Sequence, residues 1–183
     1  IVSVLKTVGH QKTIESIVRK DLFSGLYSEE YLYGEGRKII DQYTTSTICM
    51  YKIINLEEIN HKYCRELGNK VIEKTSEYIK QNISTQYVYV RYMGPKFVIA
   101  FSGVELNGVA EFINELKEKL ENTIISLNET NDEEEENKKM EVCPKLNFTL
   151  STYYKGTGLE EVLKKQEEYL DNCDANESNI TNI

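Results

Sequence analysis

Tyr87-Val88-Tyr89-Val90-Arg91 and Phe97-Val98-Ile99-Ala100-Phe101 are two short runs separated by Tyr92-Met93-Gly94-Pro95-Lys96. β-Branched and aromatic residues suit a pleated, half-buried surface, and Gly followed by Pro marks a turn, so the stretch predicts a β-hairpin. Working outward, Ile48 to Ile54 and Leu146 to Tyr154 each predict a further strand. Between the first of these and the hairpin lie a short helix, Leu56 to Tyr63, and a longer one in which Val71, Ile72, Thr75, Tyr78 and Ile79 recur at helical spacing. Beyond the hairpin a helix begins at Asn107, carried by Val109, Phe112, Ile113, Leu116, Leu120, Ile124 and Leu127, and a last one runs from Leu159 to Cys173. Strands alternating with helices around one internal hairpin predict an α/β (α+β) sandwich of βαββαβ type, with helices flanking a mainly antiparallel central sheet.

Upstream of this unit, Val4, Val8, Ile14, Ile17 and Val18 give residues 1–20 a partial helical pattern, read as a leading, signalling-type helix. Phe23-Ser24-Gly25-Leu26 makes a turn. Ser28 with Glu29 and Glu30 then reads as a helix start, the helix running to about Gln42 and weakened by Gly34 and Gly36. The acidic stretch 128–139 has no apolar residue and is expected as a solvated loop insertion. The domain is taken as 21–175, with 176–183 a frayed tail.

The 183 residues, 40% hydrophobic and 28% charged, suit one globular domain. A net charge of -8 argues against nucleic acid and against an anionic membrane surface as partners of this fragment. No stretch approaches the ~20 apolar residues of a membrane span. The chain starts without Met and reads as a cytoplasmic piece of a longer protein, in which any upstream sensor or membrane anchor would lie outside this sequence. Cys49, Cys64, Cys143 and Cys173 are scattered, so reduced thiols are expected rather than a zinc site.

Asp21-Leu22-Phe23-Ser24-Gly25-Leu26, Ile59-Asn60 with Gly68-Asn69 nine residues on, and Arg91-Tyr92-Met93-Gly94-Pro95-Lys96-Phe97 follow one another along the chain. In order and spacing they resemble the D-x-L-T-G-L, I-N-D-x-x-G-H-x-x-G-D and R-x-G-G-D/E-E-F signatures of the GGDEF family, and Thr149-Leu150-Ser151 resembles its T-x-S strand. The resemblance implies the nucleotidyl-cyclase, ferredoxin-like form of the βαββαβ fold. Active members join two GTP molecules, one held by each of two facing domains, into cyclic di-GMP with two Mg²⁺ ions.

On the resemblance, the first-strand metal carboxylate falls at Lys52, the hairpin one at Pro95 and the Glu after it at Lys96. Mg²⁺ wants carboxylate oxygens. Two unit charges 4 Å apart interact by about 4 kcal/mol at an effective dielectric of 20, so Lys52 should oppose the ion. The expectation is a domain with no cofactor, its Mg²⁺ lost. The hairpin Met93, Gly94, Pro95, Lys96, Phe97 also lacks one family glycine and an N–H donor. The family's phosphate-contacting Lys and Arg map to Asp174 and Ser178, and its R-x-x-D product site to Ser84 and Tyr87.

What the resemblance leaves in place is the guanine-reading pair, here Asn60 and Asn69. A nucleotide site of Asn60, Asn69, Lys52 and Lys96, with the lysines as counter-charges to phosphate, is one reading. Asn60 and Asn69 as caps or bridges of their helices is the other. The function expected is a catalytically inactive GGDEF-like regulatory domain acting in dimerisation or signal relay, its partners a second copy or a neighbouring signalling domain. The alternatives are a non-catalytic GTP sensor and, behind it, an active diguanylate cyclase.

Overall fold

A computed structural model of the chain describes residues 20–128, 139–174 and 176–183. The expected leading helix therefore lies outside the described residues save for Lys20, and so does the acidic stretch between Asn128 and Lys139. Among the described residues no helix is long and apolar enough to cross a membrane.

The centre of the molecule is strand β2 (Thr45–Ile53), which pairs antiparallel with two strands at once: β4 (Lys96–Ser102) on one side and β7 (Leu146–Tyr154) on the other. Side chains of a strand point alternately to its two faces. Cys49, Tyr51 and Ile53 accordingly enter one core, while Ile48 and Met50 enter another on the opposite face. This double burial makes the central strands read as continuous apolar runs. β3 (Val88–Met93) closes the hairpin against β4, so the βαββαβ unit with its mainly antiparallel sheet is present.

The first core is covered by α3 (Leu56–Lys62), α4 (Arg65–Asn82) and α5 (Leu106–Glu121). Of the predicted stripes, Val71, Ile72, Thr75 and Ile79 of α4 and Val109, Ile113, Leu116 and Leu120 of α5 are buried there, while Tyr78 and Phe112 are half-buried against the same core. The second core is covered by a helix entered from the two-residue strand β1 (Tyr27–Ser28) and made of α1 (Glu29–Tyr31), a π turn (Leu32–Gly36) and α2 (Arg37–Ile40), and by α6 (Leu159–Asn172). The π turn holds both glycines that weaken this helix in the sequence. Ser28 stands at its N-cap position but makes no side-chain cap bond.

Two segments differ from expectation. The helix begun near Asn107 stops at Glu121, because Asn122 Nδ2 and Thr123 Oγ1 donate to the carbonyls of Glu118 and Lys119, each at 2.8 Å. Ile125 then turns inward as the start of β5 (Ile125–Asn128), which pairs with β6 (Lys139–Val142). The tail is not frayed: β8 (Ile180–Asn182) runs parallel to β7 at the edge of the six-stranded sheet. Phe148 N donates to Asn179 O at 2.9 Å, Ile183 N to Leu150 O at 2.8 Å, and Asn179 N to Asn147 Oδ1 at 2.7 Å.

Ending the chain at Cys173 should therefore lower its melting temperature. The three hydrogen bonds just named, at about 1 kcal/mol net each and roughly 2–4 °C per kcal/mol at this size, put the loss at no less than roughly 6–12 °C, since the β7–β8 ladder and the Tyr169–Thr181 hydroxyl contact go with them. A scanning-calorimetry trace unchanged by the truncation would show the tail to be energetically idle.

Candidate functional site

The turn of the hairpin is Gly94-Pro95, with Gly94 at φ +56, a conformation that costs glycine little, and Pro95 after it. Arg91, on β3 just before a bulge, binds both ends of the local structure. Its Nε donates to Gly94 O at 3.0 Å, and its Nη1 lies 2.9 and 3.0 Å from the two carboxylate oxygens of Asp21. Asp21 Oδ2 also accepts from the backbone N and the Oγ of Ser24, at 2.8 and 2.7 Å. The turn at the head of the domain is thus hooked to the hairpin. Burial tends to raise the Asp21 carboxyl, but the hydrogen bonds from Ser24 and the Arg91 guanidinium outweigh it and hold the group below its ordinary value. Phe97, first inward residue of β4, is fully buried and stacks on Tyr51 with ring centroids 4.9 Å apart.

Across the same end of the sheet, Lys96, Lys52 and Asn147 stand directly opposite one another on β4, β2 and β7. Lys52 shares the face of Met50 by alternation, the face on which α6 packs. Lys96 lies 3.0 Å from Glu167 Oε1 and 2.7 Å from Asp171 Oδ1, both on α6, and its side chain is only 9% exposed. Burial alone would lower its amine, but the two carboxylates reverse that and raise it. Pro95 O accepts from Ile53 N at 3.0 Å, which presses the turn against the end of β2. Near Glu167 the hydroxyls of Tyr33 and Tyr92 lie 3.1 Å apart, and burial raises both phenols.

Asn60 is exposed on α3 and Asn69 half-buried on α4, and neither caps a helix. The cap of α4 is Cys64, whose Sγ accepts from Leu67 N at 3.5 Å. The Asn60 carboxamide lies across Gly68: a Cβ at residue 68 would stand 1.9 Å from its Oδ1, so any other residue there would push the carboxamide aside. The structure thus brings Asn60 up to the residue before Asn69, and Lys52 beside Lys96. Glu57 and Glu58 are exposed on α3. Asp174 follows the end of α6 and accepts from Asn176, while Ser84 and Tyr87 line cavities of about 250–280 Å³ beside β3. Sequence reasoning missed Glu167 and Asp171. Their i,i+4 spacing on the last helix, opposite a lysine-bearing hairpin, is the signal that was available.

A six-stranded, mainly antiparallel sheet with helices on both faces, and a signature hairpin at the end of its central strand, define a nucleotidyl-cyclase-like domain. The family model described as "Diguanylate cyclase, GGDEF domain" matches residues 19–179, and the chain belongs to that family. The fold is similar to the coiled coil and GGDEF domain of DgcB from Caulobacter crescentus, solved with c-di-GMP, at 14% identity and a TM-score of 0.80, covering 100% of this chain and 94% of that one. It is similar also to the GGDEF domain of FimX from Pseudomonas aeruginosa, at 12% identity and 0.73, covering 90% and 99%. A third likeness is to the diguanylate cyclase SiaD of Pseudomonas aeruginosa, solved with its activator SiaC, at 9% identity and 0.72, covering 98% and 66%. No curated protein matches the sequence.

Asp21 ionises more readily folded than unfolded, so the unfolded chain takes up its proton first. Its contribution to stability is full above the ordinary carboxyl value of 3.8 and is lost as pH falls through the lower folded value. Urea unfolding of Asp21→Asn should show lower stability at pH 7 and a shallower fall between about pH 5 and pH 2 than the parent. Parallel pH curves for the two proteins would mean that the hook contributes nothing.

Proposed function

We propose that this GGDEF domain is non-catalytic and serves cyclic di-GMP signalling as a regulatory module, through dimerisation or by relaying a signal to a neighbouring domain. The observation that carries the reading is the donor set at the end of β2. By motif spacing, Lys52 and Pro95 fall where the resemblance puts the family's metal carboxylates, and Lys52 stands directly opposite a second lysine, Lys96. A hard divalent ion takes oxygen ligands, and an ammonium beside it adds repulsion. The residues present do not fit Mg²⁺ in the family manner. Glu57 and Glu58 face solvent on α3 rather than filling the gap.

A second reading, a nucleotide sensor without turnover, is favoured by the helix pair α3–α4. Asn60 keeps its carboxamide at the surface, and among the described residues it makes no hydrogen bond that would consume it. An amide held in place without a protein partner is suited to reading a base edge. Lys52, half-buried at the strand end, would then face the phosphates. Lys96 suits that task less, because its ammonium is already held by two carboxylates.

The domain incubated with GTP and either Mg²⁺ or Mn²⁺ should yield no cyclic di-GMP by chromatography, and product at a rate above the protein-free control sinks the non-catalytic reading. Titration calorimetry with GTP separates the two roles. Heat that persists in EDTA and weakens at least about tenfold, or 1.4 kcal/mol, in Asn60→Ala or Lys52→Ala marks a sensor. Silence at millimolar GTP leaves a module whose work is protein contact, and binding that strictly needs Mg²⁺ contradicts the account of the metal position.

A further inference from the structure

We infer that the ammonium of Lys96 is a built-in replacement for a bound cation, closing the signature hairpin onto α6 so that this end of the domain holds its shape with no exogenous ion. This role is separate from turnover, because it concerns what holds the hairpin to α6.

The geometry has two halves, each unfavourable alone. On the sheet, Lys52 and Lys96 stand directly opposite on antiparallel strands, where like charges destabilise the pair. On α6, Glu167 and Asp171 are four residues apart on one helical face, where like charges again repel. Glu29, at the start of α1, adds to the second half: burial and then the Glu167 charge raise its carboxyl. One group satisfies both halves. Lys96 Nζ sits 3.0 Å from Glu167 Oε1 and 2.7 Å from Asp171 Oδ1, on a side chain 9% exposed. Charge-assisted N⁺–H···O⁻ bonds of this length are among the stronger ones in proteins.

Two carboxylate oxygens converging within 3.0 Å of one point also constitute the beginning of a divalent-cation site, since Ca²⁺ takes carboxylate oxygens at 2.3–2.6 Å and completes its shell with water. While Lys96 fills that point the site is closed to metal. Without the ammonium, Glu167 and Asp171 face one another uncompensated and a divalent ion relieves them. Lys96, the cross-strand neighbour of Lys52, thus serves as the cation for a carboxylate pair supplied by the last helix.

The test is thermal unfolding of the full 183-residue chain and its variants in EDTA, then in 10 mM CaCl₂ or MgCl₂ at matched ionic strength. The parent should melt at the same temperature in all three. Lys96→Ala should melt lower in EDTA and recover by about 3–6 °C in the divalent salts if it binds the ion at roughly millimolar Kd. In Lys96→Ala/Glu167→Gln/Asp171→Asn the response should vanish. Lys96→Met, which keeps most of the stem, is the second probe and should respond like Lys96→Ala. If both variants lack fold in EDTA, the far-ultraviolet circular dichroism of each should return on adding CaCl₂. The inference is overturned if neither variant responds to either cation, if the triple variant responds as strongly as Lys96→Ala, or if the parent itself is stabilised as much. Cyclic di-GMP formation by the parent would overturn the non-catalytic reading instead and leave these melting shifts to stand or fall separately.

Discussion

The pleat of β2 is the constraint from which the rest follows. Because this strand pairs on both edges and buries both faces, its alternation assigns every residue from Ile48 to Ile53 to a side without choice. Tyr51 goes to the α3–α4–α5 side, where Phe97 stacks on it, and Met50 goes to the α1–α2–α6 side. Lys52 must then lie on the α6 side, opposite Lys96. A slip of one residue would exchange the two cores wholesale, so the placement of the two lysines is as secure as the fold itself.

That placement sets an electrostatic problem which α6 answers. The helix brings two carboxylates to the half-buried end of the sheet, and Lys96 is drawn between them while Lys52 keeps a half-exposed position. A buried ion pair is weak evidence of net stability, since desolvation can cancel the attraction. What it does supply is register. Glu167 and Asp171 can meet Lys96 only when α6 sits at one rotation over the sheet, and buried Leu163 and Leu170 on the same helix demand the same one. Gln166 agrees, donating to the carbonyls of Ile48 and Thr149 at 2.8 and 3.2 Å.

The fold was legible because its signals are local and repeated. The apolar run at Ile48, the helical stripe through Val71 and Ile79, and the Gly94-Pro95 turn each state a period or a break that the structure keeps. What escaped was set by partners distant in sequence. β8 exists because Phe148 and Leu150 hold out backbone groups to a polar tail whose composition suggests no strand. The helix end at Glu121 depends on which carbonyls Asn122 and Thr123 reach. At the site, the positions of Lys52, Pro95 and Lys96 followed from counting along motifs. The partners of Lys96 did not, because 71 residues separate it from Glu167 and only the packing of α6 closes that distance.

The charged end of β2 lies at the edge of what the cores require. Tyr51 and Met50 are the last residues of β2 whose side chains both cores enclose fully before Lys52, which is only half-buried. A substitution there costs the cores little, provided that a counter-charge is within reach of its cross-strand neighbour. Asn60 and Gly68 are under a different constraint. The carboxamide occupies the space a Cβ at residue 68 would need, so its present position and the glycine go together. That contact ties Asn60 to the helix that carries Asn69 and is independent of the charges gathered at the end of β2, so each end of the sheet's helix-covered rim answers to its own constraint.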